Sequence, residues 1–221
     1  GPLLPTGRFV FLDVSFIPLW LGLVTGTGLV PPAYAGNDPA SALQALLDRL
    51  TTATTFTGPL LSSAVLGGEY RRLPNPGRRV GVLLDASAQH AGRRGHEALA
   101  ISAQTMGVEE TRVDDLLGLV GLDKSAAKKR VRQYSLGMRQ PLGIANALIG
   151  EPEVLILDEP VNGLDPEGMR WMRGLLKDFA ERGGTVLLSS HLLHEVDVIA
   201  DRLVIIGSGK IVAQGSRDEL L

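Results

Sequence analysis

The heptapeptide Val154-Leu155-Ile156-Leu157-Asp158-Glu159-Pro160 constrains this chain more than any other stretch. A short run of aliphatic residues that ends on two adjacent carboxylates and a proline describes a strand buried on both faces, as in a parallel sheet. Open α/β sheets place their ligands beyond the carboxyl ends of such strands. Asp158 and Glu159 therefore stand where chemistry is expected. Two neighbouring acids there divide the labour: one holds Mg²⁺ through water, and the other orients or deprotonates an attacking water.

Composition bounds the alternatives. A chain of 221 residues buries a real core as one domain, or as one domain with a tail. Its net charge of −2 gives no footprint for nucleic acid and no electrostatic anchor to a membrane. The absence of cysteine excludes disulfides and thiolate metal sites and agrees with a cytosolic setting.

Residues 1–8 are rich in Gly and Pro and read as irregular. Residues 9–30 are strongly apolar, and three readings compete for them. A transmembrane helix has the length, but Asp13 and Pro18 oppose it. A secretory signal has Arg8 in front and Ala33-Tyr34-Ala35 as a small-residue cleavage site. Globular structure gives two strands, over 8–15 and 19–25. Asp38-Pro39 then resembles the N-cap and first position of a helix over 40–50.

Further along, the spacing predicts a strand over 78–84, helices over 95–106 and 113–120, and an amphipathic helix over 166–182 that ends at Gly183-Gly184. A buried strand follows over 185–189 and delivers His191 at its carboxyl end. A helix over 192–200 and a hairpin of strands over 202–206 and 210–214 close the chain. Lys124, Lys128, Lys129, Arg130 and Arg132 form a basic patch that reads as a solvated helix face.

Several of these segments carry a resemblance. Ser135-Leu136-Gly137-Met138-Arg139-Gln140 resembles the signature sequence of the ATP-hydrolysing subunit of ABC transporters, and Leu155-Ile156-Leu157-Asp158-Glu159-Pro160 resembles that family's Walker B strand. Asn162-Gly163-Leu164-Asp165 is similar to its D-loop, and Ser189-Ser190-His191 to its switch histidine. The resemblance covers roughly the last three quarters of the chain.

The resemblance implies roles residue by residue. Glu159 and His191 would be catalytic, Asp158 would hold Mg²⁺ through water, and Asn162 and Asp165 would belong to the D-loop. Ser135, Leu136, Gly137 and Met138 would face the γ-phosphate of ATP held by the other subunit of a dimer, at a helix N-terminus. Asp85 stands where the family usually has a glutamine that senses Mg²⁺ and touches the membrane partner. Pro141 replaces a basic residue inside the following helix, where proline costs about 3 kcal/mol, so a distorted first turn is expected. The implied partners are a membrane permease and a second ATPase subunit, in a homodimer or heterodimer. The implied place is the cytoplasmic face of the membrane.

One part is missing from this sequence. An ATPase of this class needs G-x-x-x-x-G-K-[ST] upstream of the strand near Ser63, and the first lysine of the sequence is Lys124. Gly26-Thr27-Gly28 lacks the lysine and hydroxyl pair. The expectation is therefore an α/β fold with a three-layer P-loop NTPase core of the ABC ATPase type, its N-terminal part truncated or replaced. Residues 1–57 form an atypical segment and 58–221 a partial ATPase domain, with a helical subdomain at about 86–140. A strand over 19–24 and the helix over 38–50 would substitute for the phosphate-loop unit beside the Walker B strand.

Three functions stay open. The first is an ATP-binding subunit that couples ATP binding and hydrolysis to export through a separate permease, impaired by the missing loop. The second is a non-catalytic heterodimer partner that supplies only the signature. The third is a truncated or decayed product without ATP function.

Overall fold

The computed structural model describes residues 9–14, 73–191, 198–207 and 210–220. It contains a six-stranded sheet in the order β2-β3-β4-β1-β5-β6. The strands are β1 (Phe9–Val14), β2 (Val80–Leu83), β3 (Val154–Asp158), β4 (Thr185–Ser189), β5 (Arg202–Gly207) and β6 (Lys210–Ser216). All neighbours run parallel except β5 and β6, which form an antiparallel hairpin at one edge.

β3 is buried along its aliphatic length, as its composition requires in the middle of a parallel sheet. Burial of a side chain such as Leu155 or Leu157 contributes about 1.5–3 kcal/mol. The register aligns Asp158 with Ser189 on β4, and Ser189 with Leu12 on β1. β3 and β4 thus finish at one level, and β1 runs two residues beyond it to Val14.

Among the described residues, five α-helices follow β2 and precede the closing hairpin: α1 (Gly95–Met106), α2 (Thr111–Leu119), α3 (Lys124–Lys128), α4 (Leu136–Leu148) and α5 (Pro166–Glu181). A last turn, α6, covers Arg217–Leu220. The crossovers β2–α4–β3 and β3–α5–β4 step across the sheet in the same direction, so right-handed connections place α4 and α5 on the same face. Close packing of α4 on β2 depends on Gly81, where an added Cβ would lie 2.1 Å from the Ala147 carbonyl oxygen. The apolar residues of α1 and α2, among them Leu99, Val113, Leu116 and Leu117, join those of α4 and α5 in one core.

The sequence reading holds for most of these elements. The strands expected over 78–84, 185–189, 202–206 and 210–214 form, as do the helices over 95–106, 113–120 and 166–182, with ends shifted by no more than a few residues. Lys124, Lys128, Lys129, Arg130 and Arg132 are all exposed, in keeping with a solvated face. The expected elements over 19–25 and 40–50, the strand near Ser63, and most of the helix over 192–200 lie outside the described residues.

One expectation holds and one changes. Of the competing readings of the apolar N-terminal stretch, the structure follows the strand at Phe9–Val14, whose aromatic and aliphatic residues suit a position paired on both sides. This strand does not lie beside β3, because β4 separates the two. The second concerns Pro141. α4 runs unbroken from Leu136 to Leu148 with Pro141 inside it and buried. The missing N–H leaves the carbonyl of Gly137, an exposed residue, without its helical donor, and the helix continues past it.

Candidate functional site

The sequence-predicted site residues converge at the carboxyl ends of β2, β3 and β4. Asp158 ends β3 in a half-buried position, and its Oδ1 accepts a hydrogen bond from the Ser189 hydroxyl. Burial pushes the Asp158 carboxyl up to about 6. The Ser189 bond opposes that rise, and the carboxylates of Glu159 and Asp85 add to it. Asp85, just past β2, is exposed and holds Ser87 through its backbone N–H at 2.7 Å and its hydroxyl at 2.6 Å.

Glu159 adopts φ +45, a left-handed conformation that costs a non-glycine residue about 1–3 kcal/mol. The surrounding bonds hold it there. Its N–H faces the Ser189 backbone carbonyl and hydroxyl, each at 3.2 Å, and its carbonyl accepts from the Asn162 N–H at 3.0 Å. This turn aims the side chain at β4, so that Glu159 Oε2 lies 2.9 Å from His191 Nδ1. Both side chains remain partly open to solvent, Glu159 at 27% and His191 at 40%.

The signature residues form a second group. Ser135 is the N-cap of α4, with extended backbone and no side-chain capping bond. Its carbonyl accepts from Met138 and Arg139, whereas the N–H groups of Leu136 and Gly137 find no acceptor among the described residues. Ser135, Leu136 and Gly137 are exposed and Met138 is half-buried. This end of α4 abuts the turn after β3: an added Cβ on Gly137 would lie 3.6 Å from the Gly163 carbonyl oxygen, and one on Gly163 would meet Leu136 Cδ2 at 2.2 Å. Asn162 is exposed in the same turn. Asp165 serves as N-cap of α5, its Oδ1 accepting from the Gly168 N–H at 2.7 Å.

The arrangement thus brings Asp158, Glu159 and His191 together, with Asp85 near enough to act on Asp158. Ser135 and Gly137 stand apart, across the Asn162–Gly163 turn. Sequence reasoning gave no role to two residues that support this geometry. Ser189 holds both Asp158 and Glu159. Gln140, buried in α4, donates to the carbonyls of Glu159 at 3.1 Å and Asn162 at 3.2 Å. Both stand inside recognised motifs, but neither residue type marks a backbone clamp.

The family model for the ABC transporter matches residues 48–162, just over half of the 221-residue chain. The chain belongs to the ABC transporter family. Over 145 residues it is 42% identical to the bacitracin transport ATP-binding protein BcrA of Bacillus licheniformis, an overlap of 65% of this chain and 47% of that protein. It is 38% identical over 141 residues to the lantibiotic transport ATP-binding protein SrtF of Streptococcus pyogenes, covering 64% and 61% of the two chains. The chain therefore spans about half to three fifths of the length of these relatives.

A solved structure described as "Structure of ATP binding subunit of ABC transporter" superposes with a TM-score of 0.69 at 20% identity, covering 97% of this chain and 81% of the other. That likeness shows the fold, an α/β sheet of the P-loop NTPase type. No helix among the described residues is long and apolar enough to cross a membrane.

Proposed function

We propose that this chain is an ATP-binding subunit of an ABC exporter that works with a separate membrane permease and a second ATPase subunit, and that its own hydrolysis is impaired. The observation that carries the reading is the state of the α4 N-terminus. The amides of Leu136 and Gly137, beside Ser135 in an exposed position, find no acceptor among the described residues and could cradle a phosphate group presented by a partner. The relatives named for bacitracin and lantibiotic transport support the reading as a transporter subunit.

Among the described residues no three His, Asp or Glu side chains gather into a ligand set, so a divalent cation at these strand ends would be held through water and by the nucleotide. Burial, with the carboxylates of Glu159 and Asp85 adding to it, raises the Asp158 carboxyl to about 6, and Mg²⁺ would favour its ionised form. Asp158 would hold the ion through water. Bound Mg·ATP would supply the phosphoryl group for hydrolysis. Glu159, kept in place by Ser189 and paired with His191, would orient a water at its free carboxylate oxygen. The phosphate loop fits less well, because the sequence before Lys124 holds no lysine. This favours a second reading, in which the chain lends Ser135 and Gly137 to a partner's nucleotide while Glu159 and His191 stand idle. In either reading residues 1–57 replace the family's first segment, the helices at about 86–140 form the subdomain that meets the permease, and the subunit sits on the inner face of the membrane.

Nucleotide titration of the purified chain, alone and mixed with a complete ABC ATPase, tests the proposal. The expected result is no turnover alone, and nucleotide binding in the mixture that Ser135→Arg abolishes. Turnover by the isolated chain that Glu159→Gln removes would overturn the impairment. Failure to bind nucleotide or partner would leave the decayed product as the answer.

A further inference from the structure

We infer that Gln140 is a positioning residue that locks the carboxylate of Glu159 onto His191 and ties that pair to the seating of α4. Its functional consequence rests on the reading of Glu159 given above, but its geometry does not. Gln140 is 5% exposed and lies one turn beyond the signature start in α4. Its Nε2 donates to the carbonyls of Glu159 and Asn162, the two ends of the turn that leaves β3.

The chemistry fixes which end of the carboxamide faces the turn. Both partners are carbonyl oxygens, so only the NH₂ group satisfies them. Oε1 is then left buried with no partner among the described residues. Such an atom costs stability, and an apolar side chain of the same shape would avoid that cost. A residue chosen for packing alone would not be glutamine.

The clamp acts where the backbone is strained. Glu159 sits at φ +45, and Pro160 follows it without an N–H to offer. Ser189 holds the N–H side of Glu159, while Gln140 and the Asn162 N–H hold its carbonyl. Removal of the Gln140 donor leaves the carbonyl side to a single local bond. The peptide is then free to relax toward negative φ, which swings the side chain away from His191. Leu136, one turn earlier on α4, covers Gly163 in the same turn. A shift of the signature helix therefore reaches the Glu159–His191 pair through Gln140.

Nitrogen-15 NMR of the full chain tests this without nucleotide. In the unaltered protein the Glu159 carboxylate faces His191 Nδ1, so neutral His191 carries its proton there. Gln140→Met keeps the length and removes the donor. It is expected to move His191 toward the Nε2–H tautomer and to speed exchange of the Asn162 amide, which donates to the Glu159 carbonyl, by about tenfold. A merely structural glutamine would lower the melting temperature and leave the tautomer unchanged, and that result would overturn the inference.

If Gln140→Met does not fold, the unaltered protein still decides. The Gln140 carboxamide protons should exchange at least about tenfold more slowly than those of exposed Gln104. Equal rates would refute the clamp. Failure of the nucleotide titrations above would leave these measurements intact, so the two readings fall separately.

Discussion

The Ser189 hydroxyl donates to Asp158 Oδ1 across the β3–β4 pair and also receives the Glu159 N–H at 3.2 Å. One small side chain thus holds both acids of the motif. Ser189→Ala removes the bond that stabilises the ionised Asp158 and leaves burial unopposed, so the Asp158 carboxyl is expected to rise further above 6. Carboxyl carbon NMR of the labelled side chain across pH 4–8 measures the direction. The lost bond should also cost about 1–2 kcal/mol of stability.

Asp158 carries a pH dependence of definite sign. Its folded value lies above its ordinary 3.8, so between that value and about 6 the folded state binds more protons than the unfolded chain. Stability attributable to this group therefore falls as pH rises through that window and is level above it. The displacement corresponds to at most about 3 kcal/mol, reduced by the solvent that reaches the half-buried carboxylate. Asp158→Asn removes the ionisation and keeps an acceptor for Ser189. In EDTA, its melting temperature should exceed that of the unaltered protein at pH 8, with the gap closing near pH 4. An equal gap at both values would show that ionisation of Asp158 is not the cause.

Gly163 carries two constraints in one position. Its φ of +73 disfavours any side chain, and an added Cβ would lie 2.2 Å from Leu136 Cδ2. Gly163→Ala is expected to cost about 2–4 kcal/mol, from backbone strain together with overpacking. Leu136 is 50% exposed and contributes little burial, so Leu136→Ala alone should cost less than about 1 kcal/mol. Denaturant titration of the double variant should recover the overpacking part and retain the strain. Strict additivity would mean that the two residues do not touch.

Much of this architecture was legible because the signals were local. The buried run of β3, the Pro166 start of α5 and the β4 run before His191 each announce themselves within a few residues. The strand at Phe9–Val14 was legible as a strand, but its place between β4 and β5 depends on pairings with residues about 180 positions away. The consequence of Pro141 was misjudged for a different reason. Propensity charges the full cost of the lost hydrogen bond, whereas the freed carbonyl belongs to Gly137, an exposed residue in the first turn of the helix. Gln140 and Ser189 escaped notice because their partners are main-chain atoms, and main-chain acceptors leave no trace in residue type.

Asp165 offers a way to separate fold from function in the turn that leaves β3. Its carboxylate caps α5 through the Gly168 N–H at 2.7 Å, which explains an acid at this position without any nucleotide. Asp165→Ala should cost about 1 kcal/mol, read as a lower denaturant midpoint with unchanged slope. Asp165→Asn retains an oxygen acceptor of the same reach and should fall within a few tenths of a kcal/mol of the unaltered protein. If Asp165→Asn keeps that stability yet weakens nucleotide binding in the mixture with a complete ABC ATPase, the carboxylate acts beyond its own helix. If both properties survive, the cap accounts for the residue, and the D-loop likeness at this position is structural.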